Sequence, residues 1–298
     1  HELFGEQRFM GHVVWQHSVQ TKGYAGTLAV GHNNLFCFAG SSEFNLGVLE
    51  RTEENNQAYS NPDNDPNGPW RTGYLVNSLY RPNLIYEVTT PSGKTIAPPD
   101  NGWRYSKETM AAKIETGEIF FSDDETRLVR KIYLKDQEGH VPNSVWLGKD
   151  SGTSRSANLA LKAMLPDCDF TTAKPVELLE RILRITSTES STILDYFAGS
   201  GATAHATIRL NSADGGKRRY ILAEVGKHFD DVLVPRIKKA IYADEWKGGV
   251  PTATAQRSHV FKIIRIESYE DTLANLDPKR TGQQTLLLEQ SDDLREQY

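Results

Sequence analysis

The sequence predicts an α/β fold with a parallel sheet and crossover helices, and three observations lead to it. In the second half of the chain an apolar run at 192–197, a helix-forming run at about 201–211, another apolar run at 219–225 and a helical pattern at about 228–243 alternate. Near the start, FMGHVVWQH at 9–17 and NNLFCFA at 33–39 are strand-length runs rich in β-branched or aromatic residues. Between 70 and about 150, short strand patterns (LIYEVTT, GEIFFS, RKIYLK) are separated by PSGK, APPDNG and DDE turns, which predicts a small β-rich module.

In chain order, the stretch TEENNQAYSNPDNDPNGP at 52–69 is polar and rich in Asn and Pro, and reads as a loop or mobile excursion. After NSVWLGKDSG the character changes. TAKPVELLERILRIT at 172–186 is an amphipathic helix pattern, with Thr172 placed to cap it and Pro175 in its first turn. Val176, Leu179, Ile182 and Leu183 form its apolar stripe. The β-α-β-α alternation follows, with a turn at SADGGK. HVFKIIRIESYEDTLANL then reads as a strand and a helix, with Ser268 as a cap and Glu270 and Asp271 as first-turn acids.

At 298 residues the chain is one large domain or two ordinary ones, and it can bury a substantial core. A formal charge of −5 argues against a wholly basic nucleic-acid coat protein, while a locally positive cleft remains compatible with DNA binding. Cys37 and Cys168 are too few for a disulfide framework or a zinc site, so a reducing cytoplasm is expected. No apolar run approaches the roughly 18–20 residues needed to span a bilayer. The opening HELFGEQRFMGHVVW lacks an initiator Met and starts in the rhythm of an element in progress, as numbering inside a longer protein would.

TILDYFAGSGATAHATIRLN at 192–211 carries the chemistry. A strand that enters a Gly-rich turn and leaves as a helix lets a ligand approach the backbone closely. Asp195 stands at the strand's end, Gly199 and Gly201 make the turn, and Ala202–Ala206 begin the helix. Glu224 closes the next strand, where an acid can accept both hydroxyls of a ribose. Such a turn also serves as a plain strand–helix connection with no ligand. Dinucleotide sites usually run apolar up to the first glycine, whereas here an acid and an aromatic precede it. An acid there can hold the ammonium of an amino-acid moiety and would repel a pyrophosphate. That favours S-adenosylmethionine (SAM) over NAD, with an NAD-type oxidoreductase as the weaker alternative.

DYFAGSGATAHA at 195–206, preceded by TAKPVELLERILRI at 172–185, resembles the cofactor motif and preceding helix of permuted, β-type amino-group DNA methyltransferases. The nearest resemblance is to the Mod subunits of type III restriction–modification systems. FGEQRFMGHVVWQH and HNNLFCFAG are similar to the strand pair after the catalytic motif in those proteins. YEVTTPSGKTIAPPDNGWRYSKETM, EIFFSDDETRLVRKIYLKD and VPNSVWLG are similar to their target-recognition region, and RIESYEDTLANL to their C-terminal part.

The resemblance implies a SAM-dependent, Rossmann-like methyltransferase sheet, incomplete at its N-terminal side, with an inserted β-rich target-recognition region. Strands of that sheet would occupy 1–50, target recognition 51–155, the SAM-binding half 156–250 and a strand–helix extension 251–298. Asp195, Phe197, Gly199 and Gly201 would line the methionine end of the cofactor and Glu224 the ribose, with Lys174 and Pro175 beside the same pocket. The implied activity is methyl transfer to the exocyclic amine of adenine, by base flipping and direct transfer. Cytosine-amine enzymes share the architecture. The implied partners are double-stranded DNA, a restriction subunit and a second copy of the full-length protein.

The family's catalytic motif, Asp/Asn/Ser-Pro-Pro-aromatic, is not found. APPDN at 97–101 has Ala before the prolines and Asp after them, and NPDND at 61–65 lacks the second proline. The family's order places that motif upstream of His1, so no catalytic residue is named. A chain without it in nature would be a non-catalytic DNA-binding or specificity remnant, with open sheet edges.

Other constellations have plainer readings. His205 faces a cofactor or packs in a buried helix, and packing is the commoner role. KRR at 217–219 touches phosphate or is a solvated turn. Trp70, Arg71, Trp103, Arg104, Tyr105 and Lys107 suit base stacking with backbone contacts, and equally the core of a β module. His12, His17 and His32 lack companions at metal spacing.

Overall fold

The fold is seen in a computed structural model that describes residues 4–20, 26–255 and 257–266, with Leu273 and Gln283. The chain divides into two compact units, His1–Arg257 and Ser258–Tyr298. The first is a mixed α/β assembly of small sheets. It opens with β1 (Phe9–Gln16) and β2 (His32–Phe38), an antiparallel pair in which Val13 faces Leu35 and Trp15 faces Asn33. A register shift between Phe9 and Gly11 falls where Gly11 takes φ +136°, a conformation that favours glycine.

The expected β module follows, beginning with the one-turn helix α1 (Glu53–Asn56) and then β3 (Trp70–Gly73), β4 (Val88–Thr89) and β5 (Thr95–Ile96). Next come α2 (Lys107–Glu115), β6 (Ile119–Phe121) and β7 (Leu128–Tyr133). β3, β7 and β6 form one antiparallel sheet and β4 and β5 a short hairpin. Leu75, Ile96, Trp103, Met110 and Ile119 form the module's core. The 52–69 stretch is a loop, as expected, but hydrogen bonds anchor it. Thr52 and Asn55 make a reciprocal capping box, and the Asp65 amide donates to Asn61 Oδ1 at 2.7 Å. The buried Lys131 ammonium reaches from β7 to Asp63 and Asp65. It lies over the rings of Trp70 and Phe120, at 5.1 and 5.4 Å, so its charge is both paired with carboxylates and faced by aromatic rings.

β8 (Val145–Trp146) returns the chain to β1, pairing parallel to it through Trp15 and Trp146. Helices α3 (Gly148–Ser151), α4 (Ser154–Met164) and α5 (Val176–Thr186) lead to β9 (Thr192–Asp195), α6 (Ala202–Asp214) and β10 (Arg219–Leu222). β9 and β10 are parallel and in register from Thr192↔Arg219 to Asp195↔Leu222, so the predicted strand–helix–strand crossover is present. A π-helical turn, Phe229–Leu233, runs into α7 (Val234–Tyr242), and the hairpin of β11 (Trp246–Lys247) and β12 (Val250–Pro251) completes the regular elements of the first unit.

α5 differs from its expected form in two ways. Pro175 is the N-cap, with extended ψ of 139°, rather than a first-turn residue, and Thr172 makes no cap. A proline disfavours helical backbone in the residue before it, so Lys174 cannot carry the helix back to a cap at Thr172. Its burial is also two-sided. Leu178 and Ile185 pack with Trp15, Leu49 and Trp146, whereas Val176 and Leu183 pack with Ala206 and Leu210 of α6. Residues two apart on a helix point about 200° from one another, so these pairs occupy opposite faces. Leu179 touches both clusters.

Three further expectations change. β10 stops at Leu222, and the helix expected from about 228 is a π turn before it becomes α7. No strand forms over 257–266 among the described residues; Val260 and Ile266 are exposed, and no neighbouring strand supplies a ladder. The helix expected over SYEDTLANL lies outside the described residues, Leu273 apart. Among the described residues no helix is long and apolar enough to cross a membrane.

Leu178 is 2% exposed on the face of α5 that meets the tryptophans. Leu178→Ala is expected to lower unfolding free energy by about 2–5 kcal/mol in denaturant titration. The exposed Leu159→Ala should stay within roughly 0.5 kcal/mol of the parent.

Candidate cofactor site

The site grows from the end of β9. Asp195 closes the strand, and its carboxylate accepts from the Phe197 amide at 3.1 Å and from the hydroxyl of Thr203, the second residue of α6. Gly199 and Gly201 take φ +53° and +77°, the left-handed region where a side chain is strained. Gly201 has a second reason to be glycine, since a Cβ there would lie 3.3 Å from Leu233 Cγ. The Gly201 amide closes the turn on Ala198 O at 2.8 Å. Just beyond the paired strands, Ala223 N donates to Asp195 O and Ala198 N to Ala223 O, at 2.9 and 3.0 Å.

Glu224 completes the arrangement from β10. One carboxylate oxygen accepts from Gly199 N at 2.7 Å, and the other from Val225 N and Gly226 N at 2.9 and 2.7 Å. His228 Nε2 lies 3.2 Å from the first oxygen. Burial works against the charge, but the Gly226 and Gly199 amides and His228 outweigh it and hold this carboxyl below the ordinary glutamate range.

The structure therefore brings Asp195, Gly199, Gly201 and Glu224 together. Phe197 lies in the same turn with its ring 87% exposed, beside exposed Tyr196. Lys174 is exposed before α5, and among the described residues it makes no hydrogen bond to the turn. Two neighbours were not singled out by the sequence. The Phe170 ring lies 3.5 Å from where a Cβ of Gly199 would be, and it meets the His228 ring at a centroid distance of 4.9 Å. A lone aromatic in the polar run DCDFTTAKP was the one visible signal for Phe170. For His228 it was the four-residue spacing from Glu224.

Several of the remaining candidates have structural roles, while Arg104, Lys107, Lys217 and Arg219 are exposed. Arg218 of the KRR run is buried and bonded to Asp214, Asn211 and Ser187. Trp103 lies in the module's core and donates to Tyr86 O, Trp70 donates to Asp63, and Tyr105 lies beneath Lys113 and Arg130. Exposed aromatics of that module are instead Tyr74 and Tyr80, with Arg81 and Arg104 also exposed. His205 is buried, in keeping with packing.

A strand–turn–helix with acids at both strand ends presents hydrogen-bond acceptors around the turn. The DNA methylase sequence pattern matches residues 8–234, most of the chain and all of this site. The chain belongs to the DNA methylase family. It is 26% identical to the Mod subunit of the type III restriction–modification enzyme StyLTI of Salmonella typhimurium, over 81% of this chain and 37% of that protein. The identity is 24% to the EcoP15I Mod subunit of Escherichia coli, over 77% and 41%, and 28% to the type II methyltransferase M.KpnI of Klebsiella pneumoniae, over 75% and 57%. The chain thus spans about two fifths of the length of these Mod subunits.

Because the Glu224 carboxyl is held below its ordinary range, the stability it contributes is present above the unfolded value of about 4.3 and lost as pH falls through the folded one. Glu224→Gln is expected to lower the melting temperature at pH 7, with the gap to the parent closing as melts are run from pH 5 to pH 3. A gap that stays constant across that range would refute the linkage.

Proposed function

We propose that this methylase chain carries the SAM-binding half and target-recognition region of a site-specific DNA methyltransferase of the type III Mod kind. The target is the exocyclic amine of adenine. One observation carries the cofactor reading. Of the five amides from Phe197 to Gly201, those of Phe197, Ala198, Gly199 and Gly201 already donate within the protein. A pyrophosphate needs free amides at such a turn. This turn offers carboxylates instead, and SAM brings an ammonium and ribose hydroxyls to meet them.

SAM supplies an electrophilic methyl group on its sulfonium. In this reading Asp195 faces the ammonium and exposed Phe197 covers the apolar part of the ligand. Glu224 takes the ribose, and three amides together with His228 hold its carboxylate in place beside the turn. Phe170 and His228 flank the turn, with Lys174 and Pro175 at the pocket's outer side. In this reading the β9–β10 pair and the β2–β1–β8 sheet, which are separate among the described residues, belong to one Rossmann-like methyltransferase sheet. Residues 51–155 read DNA, 156–250 bind cofactor and 251–298 form an extension. The base-activating group is not assigned, since the chain has no Asp/Asn/Ser-Pro-Pro-aromatic sequence. Duplex DNA is the substrate, with a restriction subunit and a second Mod copy as partners in the cytoplasm.

Calorimetric titration with SAM and NAD tests the cofactor. SAM binding without an NAD response is expected, and the reverse would overturn the reading. For the DNA face, Arg81→Ala is expected to weaken duplex binding and lower the slope of log affinity against log salt by about 1, the signature of one lost phosphate contact. An unchanged slope and affinity would remove Arg81 from that face.

A further inference from the structure

Behind the turn lies a charge that the cofactor reading does not use. Arg236, on α7, is 2% exposed, and among the described residues no carboxylate lies within ion-pairing distance of it. Its guanidinium donates to Ser200 Oγ at 2.7 Å, to Ser200 O at 3.4 Å and to His205 Nδ1 at 3.4 Å. Ser200 stands between the two glycines of the turn, and His205 lies one turn into α6.

Each partner is buried and suited to a cation of this shape. Ser200 is 3% exposed, and its carbonyl, in a turn with left-handed backbone on both sides, has this guanidinium as its donor. His205 is 6% exposed; burial first, then the charge of Arg236, drives its proton affinity well below the ordinary histidine value. A neutral imidazole that accepts at Nδ1 carries its proton at Nε2, so the guanidinium also selects the tautomer. A π-helical turn immediately before α7 accompanies this placement, bringing Leu233 against Gly201 and Arg236 against Ser200.

A buried guanidinium with no carboxylate in direct contact, and with Glu177 favouring its charge only from a greater distance, is costly, and an apolar side chain of similar volume fills such a place at lower cost. Its three hydrogen bonds run to the cofactor turn and the first helical turn after it. We propose that Arg236 is a positioning residue for cofactor binding, holding the Gly199–Gly201 turn in its ligand-ready shape through Ser200 and His205. This inference rests on the cofactor reading above.

The test compares the full chain with Arg236→Lys, which keeps the charge and loses the planar fork, with Ser200→Ala, and with the double variant. SAM Kd is measured by calorimetry, and amide hydrogen exchange at 199–205 is measured without SAM. Ile237→Val, a buried neighbour on the same helix, controls for general loosening. Arg236→Lys is expected to raise the SAM Kd about tenfold, the scale of one lost charge-assisted hydrogen bond, and to speed exchange in the turn. Adding Ser200→Ala should then change little, because both substitutions remove one contact. Ile237→Val should lower the melting temperature and leave the SAM Kd unchanged.

Parent-like SAM affinity and turn exchange in Arg236→Lys would overturn the proposal. So would a Kd that tracks melting temperature alike in the Lys and Val variants. If the parent binds no SAM, the cofactor reading fails by itself. Turn exchange then decides the role of Arg236: faster exchange in the Lys variant supports it, and unchanged exchange removes it.

Discussion

The contact on which the rest of the site depends is a single carboxylate. Glu224 receives the amide of Gly199 from one strand's end and those of Val225 and Gly226 from its own. The β9–β10 ladder ends at Asp195 and Leu222, and beyond it backbone groups need other partners. Glu224 supplies them where the chain turns away from both strands. Fixing Gly199 fixes the approach to Gly201, the N-cap of α6. The same tie places the α6 face carrying Ala206 and Leu210 against α5.

From α6 the order passes to α5 and then to β1 and β8. α5 is buried on opposite faces, so it acts as a wall shared by two cores rather than a surface helix with one apolar stripe. Val176 and Leu183 belong to the α6 side, and Leu178 and Ile185 to the tryptophan side. Close-packed interiors tolerate little volume change. A shift of α5 toward one core therefore opens the other, which couples the β1–β8 sheet to the turn without a direct contact between them.

Legibility in the sequence followed the range of the interactions. The β9–turn–α6–β10 unit was readable because its signals are local: an apolar run, an acid, two glycines and small helical residues. The second face of α5 was not readable, because Leu178 and Ile185 look like ordinary off-stripe residues until Trp15 and Trp146 are brought to them from more than one hundred and sixty and more than thirty positions away. The start of α5 was misjudged by weighing Thr172 as a cap over the backbone preference imposed by Pro175. The π turn at Phe229–Leu233 leaves no mark in apolar spacing. HVFKIIRI shows the reverse case, a strand pattern without a ladder among the described residues, since strand propensity needs a neighbour to pair with. Phe170 and His228 escaped notice because each acquires meaning only beside Gly199 and Glu224.

The chemistry of the turn follows from which polar groups remain after folding. A Gly-rich strand–helix turn is usually discussed as a source of donors, and its glycines alone would suggest a phosphate. Here the turn's own amides are drawn inward by Asp195, Ala223, Glu224 and Ala198. Arg236 occupies the Ser200 carbonyl from behind. The ionised groups left facing the turn are carboxylates, and at least one of them is stabilised in its charged form by the fold itself. A ligand that brought phosphate would meet like charge and find few donors, whereas one that brings an ammonium and hydroxyls meets acceptors already in place. Under the proposed function, Asp195, Glu224 and the turn's own carbonyls discriminate between these classes by engaging the donors that a phosphate would need, and glycine count alone cannot report that difference.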